Sequence, residues 1–470
     1  MLGRKTITRF LAVALLAGIL GCAGYPLERS WPEPRPLGRE YPAFQAPALP
    51  TLPPAGALPA EPTGALALRD ALALALLKNP ELAAFSWEVR AAEAAALQAS
   101  LPPNPELGLE VENVAGTREL RGFRSAEVTL SLGQAIELGG KRAKRTRAAA
   151  LKAELAGWDY EAKRLDVLTE TAKAFIEVLA GQEQAALDEE LVRLAEQTHK
   201  VASERVKAGK VSPIEEVRTR VALTTTRIEL EQARRELETL RRRLAAHWGS
   251  TSPGFERAGG QLDRTDPTPS PEQLVRLLAR NPDVARWAIE MAQRRATVAV
   301  EESKRVPDLT VSGGVRRFRE TEDTAFVAGI SIPVPLFDRN QGGLREARFG
   351  LAKAAEERRA AEVRAHTALA EAYQTLASAL AQSAALKNDA LPGAQAAFDA
   401  ARAGYEQGKL TYLDVLDAQR TLFEARGQYI KALAAYHKAA ADTERLIGQS
   451  LTGLMAPVSG PKSEVTPEPK

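Results

Sequence analysis

Two carboxylates near the end of the chain have a spacing that could serve ionic chemistry. Asp414 and Asp417 lie three residues apart in the segment Leu413-Asp-Val-Leu-Asp-Ala418. On a helix this spacing places both side chains on one face. Carboxylates in the first turns of a helix are also stabilised by the helix dipole, so an ordinary helix start explains the pattern as well.

Other chemistry finds little support in the residues. The four histidines, at positions 199, 247, 366 and 437, have no metal-ligand spacing, and the single cysteine excludes a Cys-x-x-Cys pair. We find no nucleophile elbow or phosphate loop. We therefore expect no enzyme activity, no cofactor and no resident metal. A net charge of only +3 gives no case for nucleic-acid binding.

The first residues have the features of an export signal. Arg4, Lys5 and Arg9 precede an uncharged apolar run, Phe10 to Leu20, which is too short to span a bilayer of about 30 Å. The run ends at Gly21-Cys22, which resembles a bacterial lipoprotein cleavage site. The sequence predicts a signal peptide over 1–21 and lipid attachment at Cys22. A Pro- and Gly-rich extended leader would follow over 22–65, and a disordered polar tail would close the chain over 451–470.

Between leader and tail, one unit occurs twice, which predicts repeats over 66–250 and 271–450 joined by a linker over 251–270. Four landmarks recur in the same order, the first three at an offset of 202 and the last at 199. They are Asn79-Pro80-Glu81 with Asn281-Pro282-Asp283, Pro105-Glu106-Leu107 with Pro307-Asp308-Leu309, Gly140 with Gly342, and Gly209-Lys210-Val211-Ser212 with Gly408-Lys409-Leu410-Thr411.

Each repeat is predicted to hold a first helix, two strands and a long helical hairpin. The first helices would cover about 66–100 and 271–305. Period-two alternation of apolar and polar residues predicts strands over about 105–115, 125–137, 307–317 and 324–336. Near-heptad apolar seams predict helices over about 141–207 and 340–405, the first about 100 Å long, with return helices to about 248 and 448.

Four such strands are too few to close a barrel, for which about eight is the practical minimum. An open sheet with an apolar face and bare edges would aggregate. The strands must therefore pair with those of other copies. Three chains would supply 12 strands for an outer-membrane barrel, continuous with a tube of helical hairpins. Physical reasoning alone leaves the number of chains open.

Several segments resemble the TolC-type outer-membrane factors, and most of all the CzcC-like branch that serves heavy-metal cation efflux. They are Leu101-Pro-Pro-Asn-Pro-Glu-Leu107, Ile136-Glu-Leu-Gly-Gly-Lys-Arg142, Ile332-Pro-Val-Pro-Leu-Phe-Asp-Arg-Asn-Gln-Gly342 and Tyr412-Leu-Asp-Val-Leu-Asp417. The resemblance covers about 66–450. It implies a mainly α fold with a small β part, as a homotrimeric passive duct in outer-membrane lipid that extends into the periplasm. It also implies a periplasmic membrane-fusion adaptor and an inner-membrane, proton-driven resistance-nodulation-division pump as partners.

The resemblance also implies roles for particular residues. Asp414 and Asp417 would form rings of carboxylates at a periplasmic gate, where the first repeat has Glu215 and Glu216 instead. The two turns between the hairpin helices would dock the adaptor, although each is also an ordinary helix end. These turns are Gly209, Lys210, Val211 and Ser212 in the first repeat, and Gly408, Lys409, Leu410 and Thr411 in the second.

Two alternatives stay open on the sequence. One is a long periplasmic coiled coil without a pore, such as an adaptor or a structural protein. The alternating strands count against it, because an adaptor needs no strands with a face suited to lipid. The other concerns the cargo, which could be drugs or secreted proteins, since the wall of a duct need not recognise what passes through it.

Overall fold

The computed structural model describes residues 30–48 and 61–452, and these residues form two compact units. The first, here called the strand unit, contains Glu88–Gly157 and Arg286–Arg358. The second, the helical unit, contains Glu33–Trp87, Trp158–Ala285 and residues 359–452. Each unit draws on both repeats.

The elements follow the duplicated order that the landmarks predicted. In the first repeat they are β1 (Ala65–Ala67), α1 (Leu68–Lys78), α2 (Pro80–Ser100), β2 (Glu106–Glu112), β3 (Glu127–Ile136), α3 (Lys141–Lys207) and α4 (Pro213–Ala246). In the linker and second repeat they are β4 (Arg257–Gly259), α5 (Pro271–Leu278), α6 (Pro282–Ser303), β5 (Leu309–Phe318), β6 (Thr324–Ser331), α7 (Gln341–Ala385), a π-helical turn (Leu386–Ala390), α8 (Leu391–Glu406) and α9 (Tyr412–Ile447).

The single first helix predicted in each repeat is wrong, because each is broken at the asparagine before a proline. Asn79 has φ −61° and ψ 121°, the extended conformation that a following proline favours. Its buried side chain donates from Nδ2 to the carbonyl of His247 at 2.8 Å. Asn281 does the same to the carbonyl of Leu446 at 2.9 Å. Each asparagine thereby ties the start of its repeat to the end of the same repeat's hairpin.

The strand unit holds a four-stranded antiparallel sheet in the order β2-β3-β5-β6. The two repeats meet at its centre, where β3 pairs with β5 from Glu127 opposite Phe318 to Ile136 opposite Leu309. Strand β6 ends at Ser331, five residues before the predicted end at 336. Pro333 and Pro335 explain the difference, since proline has no N–H for the ladder.

The core of the helical unit lies where its helices meet the short parallel pair of β1 and β4. Phe175 of α3 and Phe255 before β4 are almost fully buried there. Helices α3 and α9 run antiparallel and are joined by ion pairs in register. Among them are Asp166 with Arg445 at 2.7 Å, Lys173 with Asp442 at 3.1 Å, Glu177 with Lys438 at 3.2 Å, and Glu190 with Arg426 at 2.9 Å.

The long helix of the second repeat is not the continuous one predicted over 340–405. A π-helical turn, Leu386–Ala390, separates α7 from α8, and the N–H of Leu391 bonds back to the carbonyl of Leu386. Pro392 follows directly. Because proline cannot donate to the preceding turn, the helix widens just before it. Over residues 30–48 and 61–452, no helix combines the length and the apolar character needed to cross a membrane.

Candidate functional site

The two hairpin turns of the helical unit depend on glycine at the same place. Gly209 has φ +67° and Gly408 has φ +73°, the left-handed conformation that ends a helix. The N–H of Lys210 bonds to the carbonyl of Arg205 at 3.0 Å, and that of Lys409 bonds to the carbonyl of Gly404 at 2.8 Å. Nothing lies near a side chain added at either glycine, so backbone conformation alone accounts for the residue type.

The helices that leave these turns are capped differently. Ser212 only accepts a 3.4 Å bond from the N–H of Ile214. At the second turn, Thr411 and Asp414 form a reciprocal capping box, in which the Asp414 carboxylate accepts from the N–H and the hydroxyl of Thr411, both at 2.7 Å. The hydrogen bond from the Thr411 side chain is the main reason that the pKa of Asp414 lies below its ordinary value.

The structure therefore places the two predicted gate residues in different states. The carboxylate of Asp414 is held by the cap of its own helix. Both residues are exposed to solvent, and Asp417 lies one turn beyond the cap. Leu413, which precedes Asp414 in the first turn of α9, is 50% exposed.

Side chains that the sequence reasoning did not bring together join the ends of the two hairpins. The guanidinium of Arg205 on α3 lies 4.5 Å from the ring centroid of Tyr405 on α8. The hydroxyl of Tyr405 is 3.5 Å from a carboxylate oxygen of Glu215 on α4. Its ring also meets the buried Tyr412 edge-on, at 6.2 Å. The two tyrosines lie on different helices, α8 and α9, so helical spacing in the sequence gave no signal for their contact.

A groove of about 1140 Å³ runs between α4 and α9, with α3 as its floor. Its lining includes the carboxylates of Asp188 from α3 and Glu229 from α4, and Arg420 of α9. Burial raises the pKa of Asp188, and burial together with the charge of Asp188 raises that of Glu229. The groove thus combines a mixed apolar and polar lining with two carboxylates whose ionisation is opposed by burial.

One face of the sheet in the strand unit is apolar and exposed. Because side chains alternate across a strand, this face collects one residue in two from each strand. Its large members, all 40% or more exposed, are Leu107, Leu109, Val111, Leu130, Leu132, Val311, Val315, Phe326 and Ile330. The other face is polar, and on it Arg316 bonds to Glu112 at 2.7 Å and Glu127 at 2.9 Å. Contiguous exposed apolar surface of this size marks a face that another molecule or a lipid covers.

Three of the four histidines have environments that the fold explains. His199 bonds to the hydroxyl of Thr219 at 2.9 Å, His437 to the carbonyl of Leu262 at 2.8 Å, and burial lowers the pKa of His247. Within residues 30–48 and 61–452, no three His, Cys, Asp or Glu side chains cluster as metal ligands would. Cys22, the predicted lipid attachment site, lies outside the described residues.

The match to a family model decides what this arrangement is. The model for the outer membrane efflux protein matches residues 71–250 and 274–449. The chain belongs to the outer membrane efflux protein family. This is a family of transport channels of the outer membrane, and the two matched segments each contain two sheet strands and one long hairpin.

Relatives of known role are similar over most of their length. The cobalt-zinc-cadmium resistance protein CzcC of Cupriavidus metallidurans is 40% identical over 391 residues, which cover 83% of this chain and 92% of CzcC. The nickel and cobalt resistance protein CnrC of the same organism is 33% identical, over 66% of this chain and 73% of its own. Outer membrane protein TolC of Escherichia coli is 25% identical over 77% of this chain and 78% of TolC.

Solved structures of efflux channels share the fold. A structure of CusC has a TM-score of 0.70 at 19% identity and covers 87% of this chain and 99% of CusC. The outer membrane protein VceC of Vibrio cholerae has a TM-score of 0.69 at 19% identity, over 82% of this chain and 96% of VceC. The predicted fold class, mainly α with a small β part in the TolC-like arrangement, is confirmed.

Proposed function

We propose that this outer membrane efflux protein is the exit duct of a tripartite system that exports divalent heavy-metal cations. Three copies would close a barrel of 12 strands in the outer membrane and a helical tube in the periplasm. A periplasmic adaptor would join the tube to an inner-membrane, proton-driven resistance-nodulation-division pump. The duct itself would be passive.

The main structural support for a duct is the exposed apolar face of the sheet. Edge strands β2 and β6 leave backbone N–H and C=O groups unpaired in one chain, and lipid cannot satisfy them. Pairing of β2 with β6 of the next copy removes both edges and turns the apolar face towards lipid. A periplasmic coiled coil without a pore, the other candidate, has no use for either feature.

The cargo proposal rests on the relatives. CzcC, CnrC and the nickel-cobalt-cadmium resistance protein NccC are named for resistance to divalent transition metals, and CzcC is 40% identical to this chain. We expect deletion of the gene to sensitise cells to cobalt, zinc or cadmium, with growth restored by the gene on a plasmid. The same strain would be tested against hydrophobic drugs in parallel.

The pattern of sensitivity separates the alternatives. Sensitivity to metals alone supports cation export. Sensitivity to drugs alone, or a defect in protein secretion, would assign the duct to a different pump. A deletion strain that is as resistant as its parent to the metals and the drugs, and that secretes proteins normally, would count against an efflux role in that cell.

We further propose that the two hairpin turns dock the adaptor. Both are exposed at Lys210 and Leu410, and the contacts of Tyr405 hold them together. Lys210→Glu or Leu410→Glu is expected to abolish efflux while the trimer and its membrane insertion remain. Retained efflux in both variants would refute docking at the turns.

Lipid attachment at Cys22 is the remaining proposal, and it is read from the sequence of the export signal. Mass measurement of the mature N-terminus gives a direct test. A diacylglyceryl group on Cys22 is expected, and Cys22→Ser is expected to lack it. An unmodified mature chain that starts elsewhere would refute the proposal.

A further inference from the structure

A buried ion pair on α3 holds a segment of the leader more than 120 residues away in sequence. Glu161 and Arg164 are 2% and 3% exposed, and they pair at 2.8 Å. The guanidinium of Arg164 also donates to three leader carbonyls. They belong to Arg35 at 3.2 Å, Leu37 at 3.1 Å and Gly38 at 3.3 Å.

The carboxylate of Glu161 completes the contact from the other side. It accepts the N–H of Arg35 at 2.6 Å while it holds Arg164 through both oxygens. The pair thus offers a donor fork and an acceptor to one stretch of backbone. Charged groups this buried are costly unless hydrogen bonds satisfy them, and the leader supplies four of those bonds.

The leader packs closely against α3 beside this ion pair. Gly38 has φ +64°, and a Cβ atom added there would lie 2.5 Å from a methyl carbon of Leu168 on α3. Only glycine combines that backbone conformation with that approach. Farther along, the hydroxyl of Tyr160 donates to the carbonyl of Phe44 at 2.7 Å.

The same leader segment also reaches the end of the second repeat. The N–H of Leu37 donates to the carbonyl of Gly448, the C-cap of α9, at 3.0 Å. The N–H of Phe44 donates to the carbonyl of Leu76 on α1 at 2.9 Å. One segment of the leader therefore bonds to α1, α3 and the end of α9, and these elements come from both repeats.

The duplication supplies no second copy of this ion pair. At offsets from 199 to 202, the positions that correspond to Glu161 and Arg164 are Ala360 and Val363, Ala361 and Arg364, Glu362 and Ala365, or Val363 and His366. None combines an acid with an arginine. The ion pair belongs to the first repeat alone, as expected if it serves a leader that occurs once.

We propose that Glu161 and Arg164 form a clasp that binds the chain's own leader, and that the bound leader acts as a strap. The strap holds the C-terminal end of α9 against α3, beyond the ion pair of Asp166 with Arg445 that joins those helices. The ligand of the clasp is a peptide backbone that turns between residues 36 and 41, recognised through the carbonyls of Arg35, Leu37 and Gly38.

Hydrogen exchange and limited proteolysis of the full chain test the clasp. Arg164→Met removes the donor fork and keeps the length of the side chain. We expect it to speed exchange of the Leu37 amide and trypsin cleavage at Arg39-Glu40 by about tenfold or more, because bonds to a charged donor are lost. Lys163→Met is the matched control, since its ammonium pairs with Glu81 of α2 instead of the leader. Its rates are expected to match those of the unmodified chain.

A second variant covers the possibility that Arg164→Met fails to fold. Gly38→Val changes only the leader and is expected to release it in the same way. Unchanged exchange and cleavage in Gly38→Val, or in a folded Arg164→Met, would overturn the clasp. If the leader is released but the amides of residues 445–450 keep their slow exchange, the strap is overturned. Faster exchange there together with release supports both parts.

Discussion

At the scale of single residues, Asp414 and Asp417 are no longer an equivalent pair. Both are exposed, but the capping box holds the carboxylate of Asp414 against Thr411, and Asp417 lies one turn beyond the cap. A carboxylate that caps a helix orders the turn, and it is less able to reorient towards a passing cation. The proposed selectivity of the gate therefore rests mainly on Asp417.

Single-channel recording can separate these two roles. We expect Asp417→Ala to lower the preference for cations over anions, measured as the reversal potential under a salt gradient. Asp414→Ala is expected to speed amide exchange in the first turn of α9, because the capping box is lost. Glu371→Ala removes an exposed carboxylate on α7 and serves as control. A reversal potential that Asp417→Ala leaves unchanged would refute the gate.

Asp188 provides a prediction on pH. Burial raises its pKa above the ordinary value of 3.8, so its ionisation at neutral pH opposes folding. Asp188→Asn retains an acceptor for Gln184 and is expected to raise the midpoint of thermal unfolding at pH 7. The gain should shrink as the pH falls towards 3.8, because Asp188 in the folded chain is then protonated and no longer carries a buried charge.

The matched control for this experiment is Asp399→Asn on α8, whose carboxylate is exposed and bonds to Gln395. We expect it to leave the midpoint unchanged at every pH. A gain for Asp188→Asn that is constant with pH, or that grows in acid, would contradict the assignment to burial of a charge.

At the scale of elements, the periodicity of apolar residues predicted the long helices and the sheet strands. It did not predict the helix breaks or the contacts that depend on individual hydrogen bonds. The apolar seam gave helix α3 its bounds, predicted over about 141–207 and found as Lys141–Lys207. Three helix breaks lie next to prolines, at Pro80, Pro282 and Pro392. The predicted helices continued through these positions because the apolar pattern resumes after each proline. The contacts of Arg164 and Tyr405 join residues far apart in sequence, so only the folded chain reveals them.

The two asparagine anchors should matter about equally to stability. Asn281→Ala removes the bond to the carbonyl of Leu446 and leaves that group without its partner, which costs about 1–3 kcal/mol. Asn79→Ala is expected to cost a similar amount at His247. Both would lower the midpoint of unfolding followed by circular dichroism. Asn388→Ala, at an exposed asparagine, should change stability by less than about 0.5 kcal/mol.

At the scale of the whole molecule, the duplication gives one chain part of a barrel wall, but one chain cannot close the barrel. In the described residues, one chain has a four-stranded sheet with an exposed apolar face and two edge strands, β2 and β6. In the proposed assembly, other copies pair with these edges and lipid covers the face. A change confined to the apolar face of the sheet therefore tests the proposed assembly without altering the helical unit.

Neighbouring residues of β6 make that test possible, since they lie on opposite faces of the sheet. Phe326 is 81% exposed on the apolar face, and Val327 is half-buried on the other. If the apolar face meets lipid, Phe326→Glu places a charge against the membrane, where charged substitutions on the lipid face are destabilising. We expect that variant to lose membrane insertion and the detergent-stable trimer, measured by native mass spectrometry, while Val327→Glu keeps both. Equal assembly of the two variants would mean that this face does not contact lipid, and the duct would have to be abandoned in favour of a coiled coil without a pore.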